Sequence, residues 1–398
     1  MADEGRPTFR IPPPAFLADP ALHAVLAALP GARLVGGCVR DALAGLPVAD
    51  VDLATPERPE QVTRRLADAG LRAAPTGLDH GTVTAISGGR GFEVTTLRRD
   101  VETDGRHARV AWTDDWREDA ARRDFTINAM SMRPGGEVFD YFGGVDDLAA
   151  GRVRFVGEAA RRIAEDYLRV LRFFRFQARY GRGEPDPEAV AAVREGAAGL
   201  DQLSPERVWS ELKRVLAAPD PSASIALMDA LGVLARALPE GTLPARLFAL
   251  IAAGAPTDPL LRLAALLDGD DAALADRLRL SGEERDRLSA LRHGPVPLPS
   301  MDDADLRRLL ADEPAALLIG RAWLAGGDSP GWAELRARLA ALPRPVFPLA
   351  GRDALALGAK PGPPVGRALA AVRAWWLAGG CAADRGTCLA ELARRLAP

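Results

Sequence analysis

Hydrophobic positions follow two different patterns along the chain, and the change of pattern separates its first part from its second. In the first part, short β-branched and apolar runs lie between glycine turns and amphipathic segments, which is typical of a sheet flanked by helices. The pattern predicts a first short strand at 34–35, further strands at 71–74, 82–87 and 91–97, and helices at 21–29 and 56–70. From residue 219 onward, alanine, leucine and arginine recur between breaks at glycine and proline, which predicts a bundle of helices. The predicted class is α+β, with a small mixed sheet in the head followed by helices.

Two acidic residues follow a glycine pair in the stretch 34–53, Leu-Val-Gly-Gly-Cys-Val-Arg-Asp-Ala-Leu-Ala-Gly-Leu-Pro-Val-Ala-Asp-Val-Asp-Leu. The stretch predicts a strand, a glycine turn, a short helix starting near Val39 and a second strand that carries Asp50 and Asp52. Alternate residues of a strand face the same way, so the two carboxylates would lie about 7 Å apart on one face. Such a pair can share divalent cations with the phosphates of a nucleotide.

The glycine pair complements these acids. Gly36 and Gly37 would let backbone N–H groups approach a phosphate, and Arg40 would add a positive charge. Either feature alone is common, since Asp-x-Asp occurs in many surface strands and Gly-Gly is usually a turn. Together and in this order, the run resembles the signature of the nucleotidyltransferase superfamily, in the class shared by bacterial CCA-adding enzymes and poly(A) polymerases. The resemblance implies that Asp50 and Asp52 bind two catalytic Mg²⁺ ions.

The same resemblance implies a third carboxylate at Glu93, at the beginning of the last predicted head strand; the alternative is a solvated strand glutamate. The run Arg-Arg-Asp-Phe-Thr-Ile-Asn-Ala-Met at 122–130 is similar to the family's second motif. An arginine at Arg123 can donate a fork of hydrogen bonds to a triphosphate, while Asp124 and Asn128 are suited to hold the sugar and the loop. An Arg-Asp surface pair is the alternative. The intervening residues 98–119 lack apolar periodicity, which predicts a mobile loop.

A third stretch, Glu-Asp-Tyr-Leu-Arg-Val-Leu-Arg-Phe-Phe-Arg-Phe at 165–176, is predicted to form the body of one helix. Asp166 and Arg169 would then be neighbours one turn apart, with Arg172 and Arg175 wrapping onward. Residues 152–182 hold nine arginines against three acidic residues, which favours a triphosphate and RNA surface. The resemblance implies that Asp166 and Arg169 select the base, whereas the alternative is an ordinary salt bridge on a solvated helix.

Composition excludes several other classes of protein. The 398 residues carry a net charge of −3, with 48% hydrophobic and 26% charged residues, as expected for two to four globular domains. No apolar run is long enough to span a membrane and the polar N-terminus is no signal peptide, so we expect a cytoplasmic protein. Three cysteines have no metal-ligand spacing. Cys38, in the glycine turn, is interpreted as a small filler rather than a nucleophile.

The resemblance implies an enzyme with ATP and CTP as substrates, Mg²⁺ as cofactor and tRNA as partner. It would add CMP and AMP to the tRNA 3′ end without a nucleic-acid template and release pyrophosphate. Poly(A) addition, addition of only part of CCA, and a non-catalytic RNA-binding role remain alternatives. A basic Gly-Arg-Arg-Phe-type element usual in poly(A) polymerases is missing from 76–84, which favours tRNA. The expected domains are a lead-in with a short helix (1–30), a nucleotidyltransferase head (31–150), a helical neck for nucleotide selection and RNA binding (151–218), and a helical body and tail for tRNA binding (219–398).

Overall fold

The computed structural model describes residues 6–77, 81–103 and 108–397 and divides into two compact units, Met1–Ala237 and Leu238–Pro398. Among the described residues, the first unit holds every strand and eleven α-helices, and the second is helical. This arrangement confirms the predicted α+β class with a helical second part. The division of the chain into four functional segments stays a prediction.

Ten strands form the β-structure of the first unit. In chain order they are β1 Phe9–Arg10, β2 Arg33–Val35, β3 Asp52–Thr55, β4 Arg72–Gly77, β5 Thr82–Ser87, β6 Arg90–Thr96, β7 Arg98–Thr103, β8 Ala108–Trp112, β9 Ser131–Met132 and β10 Glu137–Phe139. Eight of them make one sheet in the order β1-β10-β9-β2-β3-β6-β5-β4, in which β3 and β6 are parallel and the other pairs antiparallel. Strands β5 and β6, predicted at 82–87 and 91–97, form a hairpin that turns at Gly88 and Gly89, with φ of 56° and 77°.

The remaining two strands correct the sequence-based expectation for residues 98–119. This stretch is not an irregular loop, because β7 and β8 pair antiparallel from Arg98 opposite Trp112 to Thr103 opposite Ala108, and a helix follows. Backbone hydrogen bonds hold such a two-stranded ribbon whatever its side-chain pattern, so apolar periodicity could not reveal it. Residues 104–107 lie outside the described residues, and the mobility of this stretch stays a prediction.

Helices cover the sheet and extend beyond it. Those of the first unit are α1 Pro20–Ala28, α2 Gly37–Leu43, α3 Pro59–Asp68, α4 Trp116–Ala121, α5 Gly144–Ala150, α6 Ala159–Glu165, α7 Leu168–Tyr180, α8 Pro187–Gly196, α9 Pro205–Leu216, α10 Ser222–Ala230 and α11 Val233–Ala237. Helix α3 begins at Pro59, three residues after the predicted start at 56, and Gly70, where the helix was predicted to end, lies in the left-handed region.

An aromatic cluster joins the sheet region to helix α7. The ring of Phe125 lies 4.6 Å from that of Phe155 and 5.1 Å from that of Phe176, and Phe155 lies 6.3 Å from Phe173, measured between centroids. Phe125 belongs to the 122–130 motif, while Phe173 and Phe176 belong to α7. All four side chains are buried, so the motif and the helix share one core.

The second unit consists of short helices that mostly begin at an acidic or serine cap. They are α12 Pro244–Ala252, α13 Pro259–Leu266, α14 Asp271–Arg277, α15 Gly282–His293, α16 Asp303–Asp312, α17 Ala315–Gly326, α18 Pro330–Ala341, α19 Gly351–Ala356, α20 Pro363–Ala378 and α21 Arg385–Leu396. Two of its buried clusters centre on Leu306 with Leu318 and on Val372 with Trp376. In the part of the chain with described coordinates, every helix is too short or too polar to span a bilayer.

Candidate active site

An open cavity of about 710 Å³ lies in the first unit and collects most of the residues that the sequence singled out. Of the thirteen predicted site residues, twelve line it, and Glu93 does not. The predicted residues on its walls are Gly36, Gly37, Arg40, Asp50, Asp52, Arg123, Asp124, Asn128, Asp166, Arg169, Arg172 and Arg175. Among the described residues, nine arginines and five aspartates line the cavity, which makes it a cationic site with an acidic edge.

The acidic edge lies where β3 and β6 run side by side. Asp52 begins β3 and is in register with Glu93 of β6, and Asp50 lies two residues earlier on the cavity wall. The prediction that one strand carries both aspartates is wrong in its boundary: pairing to β6 begins at Asp52, so Asp50 belongs to the preceding connection. Partial burial and then the negative charge of Glu93 raise the pKa of Asp52, with Asp50 adding to the effect and Arg123 opposing it.

These carboxylates suit a hard divalent cation. In the described part of the chain, no three His, Cys, Asp or Glu side chains converge enough to hold a metal ion by themselves. Mg²⁺ at phosphate-transfer sites is usually bound by one or two carboxylates together with the phosphates of the substrate, so Asp50 and Asp52 have the chemistry of the protein's share. A cation there would also relieve the repulsion that raises the pKa of Asp52.

The glycine turn before α2 is required by a close contact. Gly36 has φ of 67°, and a Cβ atom at this position would lie 3.0 Å from Nη1 of Arg123. The turn therefore lets the cavity arginine approach the backbone. Cys38, one residue into α2, is buried, its thiol donates to the Val35 carbonyl at 3.3 Å, and burial raises its pKa to about 11. These properties fit a small core filler and not a nucleophile.

A hydrogen-bonded chain of side chains crosses the floor of the cavity. Arg172 donates through Nε to Oδ2 of Asp124 at 2.7 Å, and Asn128 donates to Oδ1 of the same carboxylate at 3.0 Å. Arg40 donates to the Asn128 side-chain oxygen at 2.5 Å. Burial alone would raise the pKa of Asp124, but the charge of Arg172 and these hydrogen bonds hold it below its ordinary value. Asp124 and Asn128 thus fix two arginines, and their contact with the sugar stays a prediction.

Arg123 is held by Asp119, a residue that the sequence did not single out. Asp119 of α4 accepts from Arg123 at 3.3 Å and from Nε of Arg122 at 2.9 Å. Burial would raise the pKa of Asp119, but the charges of Arg122 and Arg123 lower it. The spacing of Asp119 to Arg122 and Arg123, three and four residues, is the only sequence signal that could have found it.

The predicted pairing of Asp166 with Arg169 is not what the structure shows. The helix expected over 165–176 is interrupted, because Asp166 has extended backbone angles and its carboxylate accepts from the Leu168 N–H at 3.1 Å. Asp166 instead accepts from Arg207 at 2.7 Å. Arg169 donates to Glu165 at 2.6 Å and to the carbonyl of Arg162 at 2.6 Å. Both side chains still line the cavity, each with its own partner.

Helix α9 supplies residues that sequence reasoning missed. Glu211 is 3% exposed; its Oε1 lies 3.1 Å from Arg175, 3.5 Å from Arg214 and 3.8 Å from Arg172, measured to the nearest guanidinium nitrogens. Its Oε2 has no hydrogen-bond partner among the described residues. Burial and then the charge of Arg172 lower the pKa of Arg175 to about 10, against the opposing effect of Glu211. The signal in the sequence was the spacing of Arg207, Glu211 and Arg214, which places them on one face of α9.

The mixed sheet, the carboxylates at its edge and the arginine-lined cavity define a nucleotidyltransferase. Two family patterns match the chain: the Poly A polymerase head domain at residues 32–154, and the "probable RNA and SrmB-binding site of polymerase A" at 184–242. A CCA-adding enzyme of Latilactobacillus sakei is 33% identical over 371 residues, which are 88% of this chain and 91% of the relative. The chain belongs to the CCA-adding enzyme family, which confirms the resemblance seen in its motifs.

Two further comparisons give the extent of the likeness. The human mitochondrial CCA tRNA nucleotidyltransferase 1 is 50% identical over 190 residues, which are 46% of this chain and only 43% of the human protein. The match thus spans less than half of that relative's length. A crystal structure of the Bacillus stearothermophilus CCA-adding enzyme in complex with CTP superposes with a TM-score of 0.74 at 26% identity, covering 95% of this chain and 98% of the other.

Proposed function

We propose that the protein adds CMP and AMP to the 3′ end of tRNA, with ATP and CTP as substrates and pyrophosphate as the other product. The observation that carries this proposal is that Asp50 and Asp52 line the same cavity as a group of arginines. The relatives named as CCA-adding enzymes support the reaction, and the similar enzyme in complex with CTP supports the nucleotide.

The catalytic acids of the proposed reaction are Asp50 and Asp52, with Glu93 as their neighbour. They would hold two Mg²⁺ ions, which when bound lower the pKa of the attacking RNA 3′ hydroxyl and neutralise the charge of the leaving phosphates. The protein's own contribution at this edge is to align Asp52 with Glu93 across β3 and β6 and to place Asp50 on the same cavity wall as Asp52. The charge of Arg123 also opposes the rise in the pKa of Asp52.

The arginines would bind the triphosphate. Arg123 is fixed by Asp119, and Arg172 by Asp124, so both guanidinium groups are oriented before any nucleotide arrives. A planar guanidinium can give two parallel hydrogen bonds to phosphate oxygens. Fixing the arginines during folding lowers the entropy cost of binding and of orienting the triphosphate.

The base would be chosen by protein side chains, since no nucleic-acid template is involved. A carboxylate only accepts hydrogen bonds and a guanidinium only donates them, so Asp166 and Arg169 offer one acceptor and one donor. Cytosine and adenine both present an amino group beside a ring nitrogen that accepts. Uracil and guanine present the reverse order and would leave buried groups unpaired, at about 1 to 3 kcal/mol each. The pair would therefore admit CTP and ATP and reject UTP and GTP.

Three alternatives are weighed against this proposal. Poly(A) addition is disfavoured because 76–84 lacks the basic element, although Leu78 to His80 lie outside the described residues. Addition of only part of CCA would use the same cavity and differ in the products. A non-catalytic RNA-binding role is disfavoured by the intact acids at 50 and 52.

Purified protein incubated with tRNA lacking its 3′ CCA, with CTP and ATP both present and each nucleoside triphosphate labelled in turn, tests the proposal. We expect two CMP additions, one AMP addition and none of UMP or GMP, with one pyrophosphate released at each step. A growing adenosine tail would favour poly(A) polymerase, and addition of AMP alone would favour a partial-CCA enzyme. No incorporation with Mg²⁺ present, together with retained tRNA binding, would favour the binding role.

A further inference from the structure

The Asp166 carboxylate is held by two tethers that come from different parts of the fold. Oδ1 accepts from the Leu168 N–H at 3.1 Å, a local contact across the break between α6 and α7. Oδ2 accepts from Nη2 of Arg207 at 2.7 Å, and Arg207 belongs to α9, 41 residues further along the chain. The two side chains are 24% and 29% exposed, so the ion pair lies at the cavity wall with part of each group still open to a ligand.

Arg169 is secured differently. Its guanidinium donates to Glu165, to the carbonyl of Arg162 and, at 3.5 Å, to the carbonyl of Arg122. Glu165 and Arg162 lie on α6, immediately before the break. Three acceptors from two segments therefore fix Arg169, the donor of the proposed base-selecting pair Asp166 and Arg169. The acceptor, Asp166, has one side-chain tether, and the rotation of its carboxylate depends on Arg207.

We infer that Arg207 is a positioning residue for nucleobase choice, which it serves by fixing the plane of the Asp166 carboxylate. This inference rests on the proposed role of Asp166 and Arg169. With Arg207 in place, each carboxylate oxygen uses one lone pair on the protein and presents the other in a set direction. Without it, the carboxylate can rotate about its remaining tether or recruit water, and the penalty against a base with a carbonyl at this position falls.

Arg207 differs in this respect from the other arginines near it. Arg172, Arg175 and Arg214 share Glu211 as an acidic partner, which places them as one cluster along α7 and α9. Among the described residues, Arg207 forms its ion pair with Asp166 and does not join the Glu211 cluster. Loss of Arg207 should consequently change which base is accepted more than how tightly the triphosphate is bound.

The test uses the full chain and the tRNA lacking CCA, with kcat and KM measured for CTP, ATP and UTP. The variants are Arg207→Gln, Arg207→Lys, Asp166→Ala and the Arg207→Gln/Asp166→Ala double variant. Arg236→Gln is the matched control, since Arg236 makes an exposed 2.8 Å ion pair with Asp201 outside the cavity. Circular dichroism and thermal melting check that each variant is folded.

We expect Arg207→Gln to lower the CTP-to-UTP ratio of kcat/KM at least tenfold, mainly through kcat, with the KM for CTP changed less than threefold. Arg207→Lys keeps the charge and should restore part of the ratio. In the Asp166→Ala background, Arg207→Gln should lower the ratio no further. If Arg207→Gln does not fold, Arg207→Lys carries the test, with an intermediate ratio expected because a lysine cannot hold the carboxylate plane as a guanidinium does.

Three results would overturn the inference. A uniform rise of KM for all three nucleotides at an unchanged ratio would make Arg207 a phosphate contact, and unchanged constants would leave it without a role in selection. If Asp166→Ala itself keeps the wild-type ratio, the base-selection step of the proposed function fails and Arg207 fails with it. If only the Arg207 variants keep the ratio, the proposed function stands and this inference alone is wrong.

Discussion

Asp52 and Glu93 lie opposite each other on neighbouring parallel strands, with their Cα atoms paired in register. Two carboxylates placed this way repel each other, and the repulsion adds to partial burial in raising the pKa of Asp52. The free protein therefore holds negative charge at a position where it lowers stability. Such an arrangement is typical of a site that a cationic ligand completes.

Asp52→Asn should lower the activity of the protein without lowering its stability. We expect nucleotide addition to fall at least about a thousandfold, since metal-ion stabilisation is worth several kcal/mol. A carboxyl whose pKa is raised in the folded state loses stability as the pH rises above its unfolded pKa, so at pH 7 the amide should be at least as stable as the wild type. Activity assays and urea unfolding at pH 7 measure both effects. Added Mg²⁺ should raise the melting temperature of the wild type more than that of the variant, and near-normal addition by the variant would contradict the assignment.

Asp124→Asn tests the ion pair under the cavity. Asp124 is buried against Arg172, so removing its charge should cost about 3 kcal/mol at pH 7. The pKa of Asp124 is lowered in the folded state, so its contribution is present above the unfolded pKa of about 3.9 and is lost as the pH falls toward the folded value. Urea unfolding from pH 7 to pH 3 should show the difference between variant and wild type shrinking below about pH 4. A constant difference over that range would mean that the charge is not what stabilises the pair.

Glu211→Gln should weaken nucleotide binding without changing base choice. The carboxylate balances the charges of Arg172 and Arg175, and its loss leaves those two cations to repel each other. We expect KM for CTP and ATP to rise together by about tenfold, equivalent to about 1.4 kcal/mol. The pKa of Arg175, about 10 in the wild type, should fall further, so the alkaline limb of the activity profile should move to lower pH. Kinetics from pH 7 to pH 11 measure both effects, and a changed CTP-to-UTP ratio would contradict this separation of roles.

A fragment of residues 1–237 should fold and bind ATP but lose tRNA affinity. The cavity lies wholly in the first unit, which ends at Ala237. Cutting earlier, after Leu216, would remove α10, whose Ser224 donates to the Phe174 carbonyl at 2.7 Å and whose Ile225 is fully buried. We expect tRNA affinity to fall at least about tenfold at fixed salt if the helical second unit holds part of the RNA. Equilibrium binding of ATP and of tRNA measures this, and undiminished tRNA affinity would show that the second unit is dispensable.

Much of the fold was predictable because its signals are local. The hairpin at Gly88 and Gly89, the helix beginning at Pro59 and the acids at the edge of β3 each follow from a few neighbouring residues. The break at Asp166 was missed because a side-chain bond to the Leu168 N–H competes with the helix, and periodicity does not record such a bond.

The rest of the site depends on contacts between distant residues. Arg207 meets Asp166, and Glu211 meets Arg175, only because α7 and α9 pack together. The spacing of residues along α9 can show which of them share a face, but not which cavity group each one reaches. The motif residues Asp124 and Asn128 were found, whereas their hydrogen bonds to Arg172 and Arg40 join residues that are far apart in the sequence and could not be predicted from it.

The aromatic core of Phe125, Phe155, Phe173 and Phe176 limits how this enzyme can be recombined with its relatives. An exchange of segments at residue 150 would place Phe125 from one protein against the residues of another protein that correspond to Phe155 and Phe176, so contacting side chains would come from two sequences. Chimeras made to transfer nucleotide preference should therefore exchange the 122–130 motif and helix α7 as one block. By the same reasoning, substitutions in this core and among the arginines of α7 should be interdependent. A change tolerated in one family member need not be tolerated in another.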